Sequence, residues 1–372
     1  MRVLILTITT GHGHHAAAQS ISDALTEQGA AVRTIDVYKT INKALSSGVN
    51  QFYLLATKYI PNLYRKAYGK LETKDRQFML QELTNLLIAN KFDSYIDKYS
   101  PDFIVCTHVF SAQIVDELKK QEKLLNVPTI GIVTDYTLHP FWETVPRIEY
   151  INLASPLLVH TAIRRGIERS RLCSFGIPVG LKFSNRTPRV DAAAELGIDP
   201  NRKTVLVMGG SMGYGNILNT ISEIQKLGMD LQILAVCGNN KRQYNKLIEA
   251  DLGPDVHVFG FVKNVDLMMD ASDCIVTKPG GLTVSESIEK QLPLVLTNPI
   301  PGQEDRNLDF LLNNGIALAV NKYFAVDDAL NYLFNCQGRI ESMKERLSYA
   351  VTPHASRNLA KFIIEEAERS TN

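Results

Sequence analysis

The stretch T-K-P-G-G-L-T-V-S-E-S-I-E-K-Q-L-P-L-V-L-T-N-P-I-P-G-Q-E-D-R-N, residues 277–307, reads as a strand end, a glycine turn, a helix, a second strand and a polar loop. Residues 273–277 are apolar and β-branched, which suits a buried parallel strand. Gly280 and Gly281 break that strand and let the backbone approach a ligand closely. Thr283 or Ser285 is expected to cap the helix that follows, with Glu286 in its first turns. A helix that starts directly after a strand and a glycine turn aims free N–H groups and a positive dipole end above the sheet, which makes an anion site. A second strand, residues 292–297, leads into Gln303-Glu-Asp-Arg-Asn307, a loop dense in hydroxyl-binding groups. Ligands of open α/β sheets bind at this carboxyl edge of the strands.

The same logic recurs outward from this stretch. Residues 203–208 read as a strand, and Gly209-Gly-Ser-Met-Gly213 is a second glycine turn before a helix expected from about residue 216. Two such turns in one domain suit a diphosphate, which needs several converging N–H donors. A third turn, Gly238-Asn239, follows the strand expected at 231–237, and Phe261-Val262 closes the strand expected at 256–261. In the first half, residues 2–7 form a strand, Thr9-Thr-Gly-His-Gly-His-His15 a turn, 16–28 a helix and 31–37 a strand. This β-loop-α-β unit lacks the third glycine of the dinucleotide fingerprint, which argues against such a cofactor. Histidines at 12, 14 and 15 raise a metal, but no Asp, Cys or further His stands nearby with ligand spacing. Strands at 103–108 and 128–134 end in Thr107-His108 and Thr134-Asp135-Tyr136, again at the ligand edge; His108 reads as a capping or core residue.

At 372 residues the chain suits two domains, with a polar linker near 176–188 where periodic apolar residues run out. We place an amino-terminal Rossmann-like domain at 1–178, a second at 179–352 and a final helix at 353–372 that packs back on the first domain. The formal charge of +1 gives no reason to expect nucleic acid. Five scattered cysteines without C-x-x-C spacing read as buried free thiols in a reducing cytosol. No run is long and apolar enough for a signal peptide or a membrane span, so membrane contact is expected to be peripheral. Residues 50–70 interleave Phe52, Tyr53, Tyr59, Tyr64 and Tyr68 with Lys58, Arg65, Lys66 and Lys70. That mixture suits an anionic lipid headgroup layer and equally a helix pair with half-buried tyrosines.

The motifs K-P-G-G-L-T-V-S-E at 278–286 and P-I-P-G-Q-E-D-R-N at 299–307, with G-H-G-H-H-A-A-A at 11–18, resemble the monogalactosyl- and glucosyl-diacylglycerol synthase family of inverting glycosyltransferases. The peptidoglycan N-acetylglucosamine transferase that makes lipid II is similar at greater distance. The resemblance spans nearly the whole chain and implies the glycosyltransferase-B architecture, an α/β fold with two Rossmann-like domains facing a cleft. It implies a UDP-glucose or UDP-galactose donor in the second domain and a lipid acceptor, diacylglycerol first, in the other. A polyprenyl-linked or soluble acceptor, a catalytically silent nucleotide-sugar binder and a UDP-sugar epimerase remain as alternatives.

By the same resemblance His14 matches the histidine that activates the acceptor, next to Gly13. The T-D-x-x-x-H-P-x-W stretch places Asp135, His139 and Trp142 on the acceptor side, although Trp142 also suits core packing. The donor would meet Gly209, Ser211, Met212, Gly213, Gly238, Asn239, Lys278, Gly280, Gly281, Leu282 and Thr283. Phe261 and Val262 would read the uracil, Glu286 the ribose, and Gln303, Glu304 and Asn307 the hexose. The sequence has no D-x-D motif at a strand end, so the leaving diphosphate is expected to rely on helix N-termini and Lys278, without metal or other cofactor. The expected location is the cytoplasmic face of the cell membrane.

Overall fold

A computed structural model describes residues 1–8, 13–41, 95, 96, 98–350 and 352–371 of the chain. The segment 50–70 and the turn residues Thr9, Thr10, Gly11 and His12 lie outside the described residues.

In chain order the first half contains β1 (Arg2–Thr7), α1 (Gly13–Glu27), β2 (Ala31–Asp36), α2 (Val37–Ile41), β3 (Phe103–Cys106), α3 (Val109–Lys120), β4 (Thr129–Ile132), β5 (Tyr150–Asn152), α4 (Val159–Arg164) and β6 (Leu172–Cys173). The second half contains α5 (Arg189–Leu196), β7 (Lys203–Met208), α6 (Ile217–Gln225), β8 (Leu231–Val236), α7 (Lys241–Glu249), β9 (Val256–Phe259), α8 (Val265–Ala271), β10 (Cys274–Thr277), α9 (Gly281–Glu289), β11 (Leu294–Leu296), α10 (Gln303–Asn313), β12 (Ala317–Ala319), α11 (Val326–Asn335) and α12 (Arg339–Ala350), and α13 (Ala355–Thr371) closes the chain.

These elements form two units. The first comprises Met1–Leu181, Pro301–Gln303 and Thr352–Asn372, and the second Lys182–Ile300 and Glu304–Val351. Each holds one six-stranded sheet, in the order β2-β1-β3-β4-β5-β6 in the first and β12-β11-β10-β7-β8-β9 in the second. Every pairing in both sheets is parallel. Parallel strands covered by helices on both faces need continuous apolar runs, and Phe103–Cys106, Thr129–Ile132 and Cys274–Thr277 are buried throughout. Val205, Val207, Val276 and Val295 centre the second core. Val3, Ile5, Val105 and Ile130 centre the first, with Leu359, Ala360 and Ile363 of α13 packed onto them. The final helix therefore belongs to the first unit, where Arg357 pairs with Glu27 of α1 at 3.1 Å.

Both sheets reverse their strand order once, and that point positions the chemistry. In the first unit the reversal lies between β1 and β3, in the second between β7 and β10. Connections leaving the two neighbouring strands diverge there and open a crevice at their carboxyl ends. The residues after β1 and β3 are the His14 turn and Thr107-His108. Those after β7 and β10 are the two glycine turns.

The cysteines follow the expected burial with one correction. Cys106, Cys237 and Cys274 are buried, and Cys173 is half-buried, but Cys336 is exposed at the end of α11.

Candidate active site

In the first unit His14 sits in the opening turn of α1. Its Nδ1 lies 2.9 Å from the main-chain oxygen of Thr107 and 3.2 Å from Thr134 Oγ1. A carbonyl oxygen can only accept, so the proton of the neutral ring is on Nδ1 and the lone pair is on Nε2. Burial lowers the imidazole pKa, against an opposing pull from the Asp135 carboxylate. His14 is thus held as a neutral ring with a basic Nε2.

The other histidines divide by their hydrogen bonds. His108 Nδ1 accepts the Phe110 N–H at 3.0 Å and caps α3, which confirms its reading as a cap. Its ring stands edge-on to His14 with centroids 4.6 Å apart, and burial keeps it neutral. His139 Nδ1 accepts the Phe141 N–H at 3.2 Å and caps the 3₁₀ turn Pro140–Thr144. His15 pairs with Asp36 at 3.0 Å. Among the described residues no group of His, Cys, Asp and Glu has the arrangement of a metal site.

Trp142 requires a correction. It is 4% exposed, and a β-carbon at Gly131 of β4 would lie 2.3 Å from its ring. The indole fills the place of the missing Gly131 side chain and is core, not an acceptor-lining surface. Gly13 is half-buried at the head of α1, with open space where a β-carbon would sit. The Asp135 carboxylate accepts from the Gln303 amide, and Pro301–Gln303 cluster with the first unit. Gln303 is also the first residue of α10, one position before Glu304.

In the second unit α9 begins directly at Gly281, with Gly280 as an N-cap that makes no side-chain bond. This corrects the expected capping by Thr283 or Ser285. Ser285 Oγ instead donates back to the Gly281 oxygen at 2.7 Å, as a mid-helix serine does. The first intrahelical amide is that of Val284, bonded to the Gly280 oxygen at 3.0 Å. The amides of Gly281, Leu282 and Thr283 have no acceptor among the described residues, so three donors and the helix dipole point outward. The Lys278 ammonium lies beside this end, paired with the Glu304 carboxylate.

Glu286, one turn into α9, is half-buried. Burial pushes its carboxyl up to about 8; Asp266 adds to the shift and Lys182 opposes it. No hydrogen bond to its side chain occurs among the described residues.

The glycine turn after β7 closes on itself through two main-chain bonds. The Gly213 amide bonds the Gly210 oxygen and the Tyr214 amide the Gly209 oxygen, both at 2.9 Å. A β-carbon would lie 2.0 Å from the Tyr214 oxygen at Gly209, and 2.1 Å from the Cys237 oxygen at Gly213. These glycines are needed to fold the turn onto itself. Of the amides of residues 209–213, only that of Gly213 has an acceptor among the described residues; those of Gly209, Gly210, Ser211 and Met212 have none, and α6 starts later, capped by the Asn216 side chain. Gly238 and Asn239 brace the turn: the Asn239 amide bonds the Ser211 oxygen at 2.9 Å. Phe261, just beyond β9, is 58% exposed, with Val262 half-buried next to it.

The segment expected to be a polar loop, 303–307, is the first turn of α10. Glu304 and Asn307 are buried, at 7% and 0% exposed. Glu304 Oε2 accepts the Ile300 N–H at 2.8 Å, and Asn307 Nδ2 donates to the Pro279 oxygen at 3.0 Å. Both brace the Lys278-Pro-Gly-Gly281 turn. Thr107 and Thr134 are the site residues that motif reasoning missed. Their position at strand ends was the available signal.

Two Rossmann-like units, each built on one parallel six-stranded sheet, give the chain the GT-B glycosyltransferase fold. Residues 14–179 match the monogalactosyldiacylglycerol (MGDG) synthase family, and residues 204–344 match the glycosyltransferase family 28 C-terminal domain. The two matches follow one another along the chain without overlapping. It is 28% identical over 378 residues to a processive diacylglycerol beta-glucosyltransferase of Bacillus pumilus, covering 100% of this chain and 96% of that one. The enzyme of the same description from Bacillus subtilis is 26% identical, again over 100% of this chain and 96% of the relative. Among solved structures, MurG of Acinetobacter baumannii superposes with a TM-score of 0.65 at 16% identity, over 98% of this chain and 99% of that one. The calicheamicin glycosyltransferase CalG4 gives 0.63 at 11% identity, over 100% and 98%.

Proposed function

We propose that the chain is an inverting glycosyltransferase that moves glucose or galactose from its UDP-sugar to the hydroxyl of a lipid, diacylglycerol first. His14 Nε2 takes the proton of the acceptor hydroxyl as its oxygen attacks the anomeric carbon. The bond from that carbon to the diphosphate breaks, and the diphosphate leaves with the electron pair. Configuration inverts in this single displacement, through a transition state with oxocarbenium character. The departing charge is met by the Gly281, Leu282 and Thr283 amides and by Lys278, without a divalent ion. Glu286 accepts the ribose hydroxyls, and Phe261 lies against the uracil.

The observation that supports this most is the Nδ1-protonated tautomer of His14, since only that form offers Nε2 as a base. The names of the relatives support diacylglycerol. No helix among the described residues is long and apolar enough to cross a membrane; in this reading the chain reaches the lipid by peripheral contact with the inner membrane face.

The test is UDP release and mass spectrometry of lipid products, with UDP-glucose and UDP-galactose each offered against diacylglycerol, undecaprenyl-linked acceptors and no acceptor. Hexosyl-diacylglycerol is expected. Transfer confined to the polyprenyl lipid, or free hexosamine from a UDP-N-acetylhexosamine without acceptor, would replace this reading.

A further inference from the structure

The Lys278 ammonium and the Glu304 carboxylate form an ion pair beside the open end of α9. The two side chains are 19% and 9% exposed, so the pair is held largely away from water. A β-carbon at Gly280 would lie 3.4 Å from both Lys278 Nζ and Glu304 Oε1, and one at Gly210 would lie 3.2 Å from Lys278 Cε. The ammonium therefore stands between the two glycine turns of the switch point, with the Tyr214 ring centroid 5.8 Å away. Glu304 is anchored from behind by the Ile300 N–H on its other oxygen. Lys278 has no such anchor; its four-carbon stem is free to re-aim.

A diphosphate arriving at the α9 amides and the Glu304 carboxylate are both anions that compete for one ammonium. We infer that this pair is an exchange switch coupling diphosphate binding to sugar recognition. The diphosphate draws Lys278 off Glu304, and the released Oε1 then accepts a hydroxyl of the donor sugar. Nucleotide without sugar leaves a buried carboxylate unpaired, so UDP alone binds against a penalty that the nucleotide sugar avoids. The inference rests on the UDP-sugar reading above and adds to it an order: phosphate first, sugar second.

The test is calorimetric titration of UDP and of UDP-glucose into wild type, Glu304→Gln, Lys278→Met and the double variant. Gln keeps the shape and the acceptor for the Ile300 N–H, and a thermal unfolding scan checks that each variant folds. Glu304→Gln is expected to bind UDP about twofold to tenfold tighter, because Lys278 no longer has a competing anion. The same change should lower kcat/KM for the sugar donor. Against Lys278→Met, Glu304→Gln should give no gain in UDP affinity, since the contested ammonium is gone. Weaker UDP binding by Glu304→Gln in a wild type that binds UDP would overturn the switch and make the pair a loop brace only. A wild-type chain that binds no UDP would overturn the nucleotide reading itself, and the switch with it.

Discussion

His14 Nδ1 lies 2.9 Å from the main-chain oxygen of Thr107, a residue 93 positions away in sequence. This contact fixes which nitrogen of the ring is basic. Replacing His14 with Ala is expected to lower kcat by about 10²–10⁴, the scale of a lost general base, while UDP affinity holds. Steady-state kinetics with parallel UDP titration checks both. Collapse of UDP binding would instead make His14 a donor-site residue.

The burial of His14 sets the sign of two pH effects. Its pKa lies below the ordinary 6.5, so the acid limb of kcat/KM should have its midpoint below that value. The unfolded chain takes up the proton more readily, so this residue contributes stability above about pH 6.5 that is lost as the pH falls. Thr134→Val removes the hydroxyl 3.2 Å from Nδ1 and should move the acid limb, while Thr134→Ser should restore it. An unmoved pH profile in Thr134→Val would mean that the Thr107 carbonyl suffices.

Glu286 has the opposite sign. Its carboxyl is pushed up to about 8 in the free protein, whereas accepting ribose hydroxyls favours the charged form. Binding of UDP-glucose, which has no ionisation of its own near neutral pH, should therefore release protons and strengthen as the pH rises toward 8. Calorimetry in buffers of differing ionisation heat measures the release, and Glu286→Gln should abolish it. In the free protein this group makes stability fall as the pH rises from about 4.5 to about 8, because the native state holds the proton longer.

Trp142 packs where Gly131 has no side chain. Gly131→Ala would place a carbon 2.3 Å from the indole and should cost about 1–3 kcal/mol by overpacking. Denaturant unfolding followed by Trp142 emission measures it, since the chain has a single tryptophan. Addition of acceptor lipid should leave that emission unchanged, because the ring is core.

In the proposed mechanism the α9 amides and Lys278 meet the charge of the leaving group, so activity should survive EDTA. An absolute requirement for added manganese would overturn that assignment.

Much of the fold was legible because its signals are local. The apolar run at 203–208 becomes β7 with the same bounds, and the glycine break after residue 277 becomes the start of α9. The capping role of His108 was equally local, being set by the two residues after it. What failed in the sequence reading depended on distant partners. Residues 303–307 look like a hydroxyl-binding loop because their side chains are polar. They form helix because Glu304 and Asn307 find Lys278, Ile300 and Pro279 to bond. That the turn after β7 closes on itself, through the Gly213 amide on the Gly210 oxygen and the Tyr214 amide on the Gly209 oxygen, was not legible from its glycine spacing.

By itself, then, the sequence determined an α/β chain with two series of strands, glycine breaks at strand ends and a histidine turn after the first strand, because periodicity and backbone permissiveness act over a few residues. Only the tertiary structure decided which nitrogen of His14 is basic, that Trp142 is core, and that Lys278 is held by Glu304. The first and third depend on strand order, which brings residues far apart in the chain within hydrogen-bonding reach at the reversal point of a sheet, and the second on the space that Gly131 of β4 leaves for the indole.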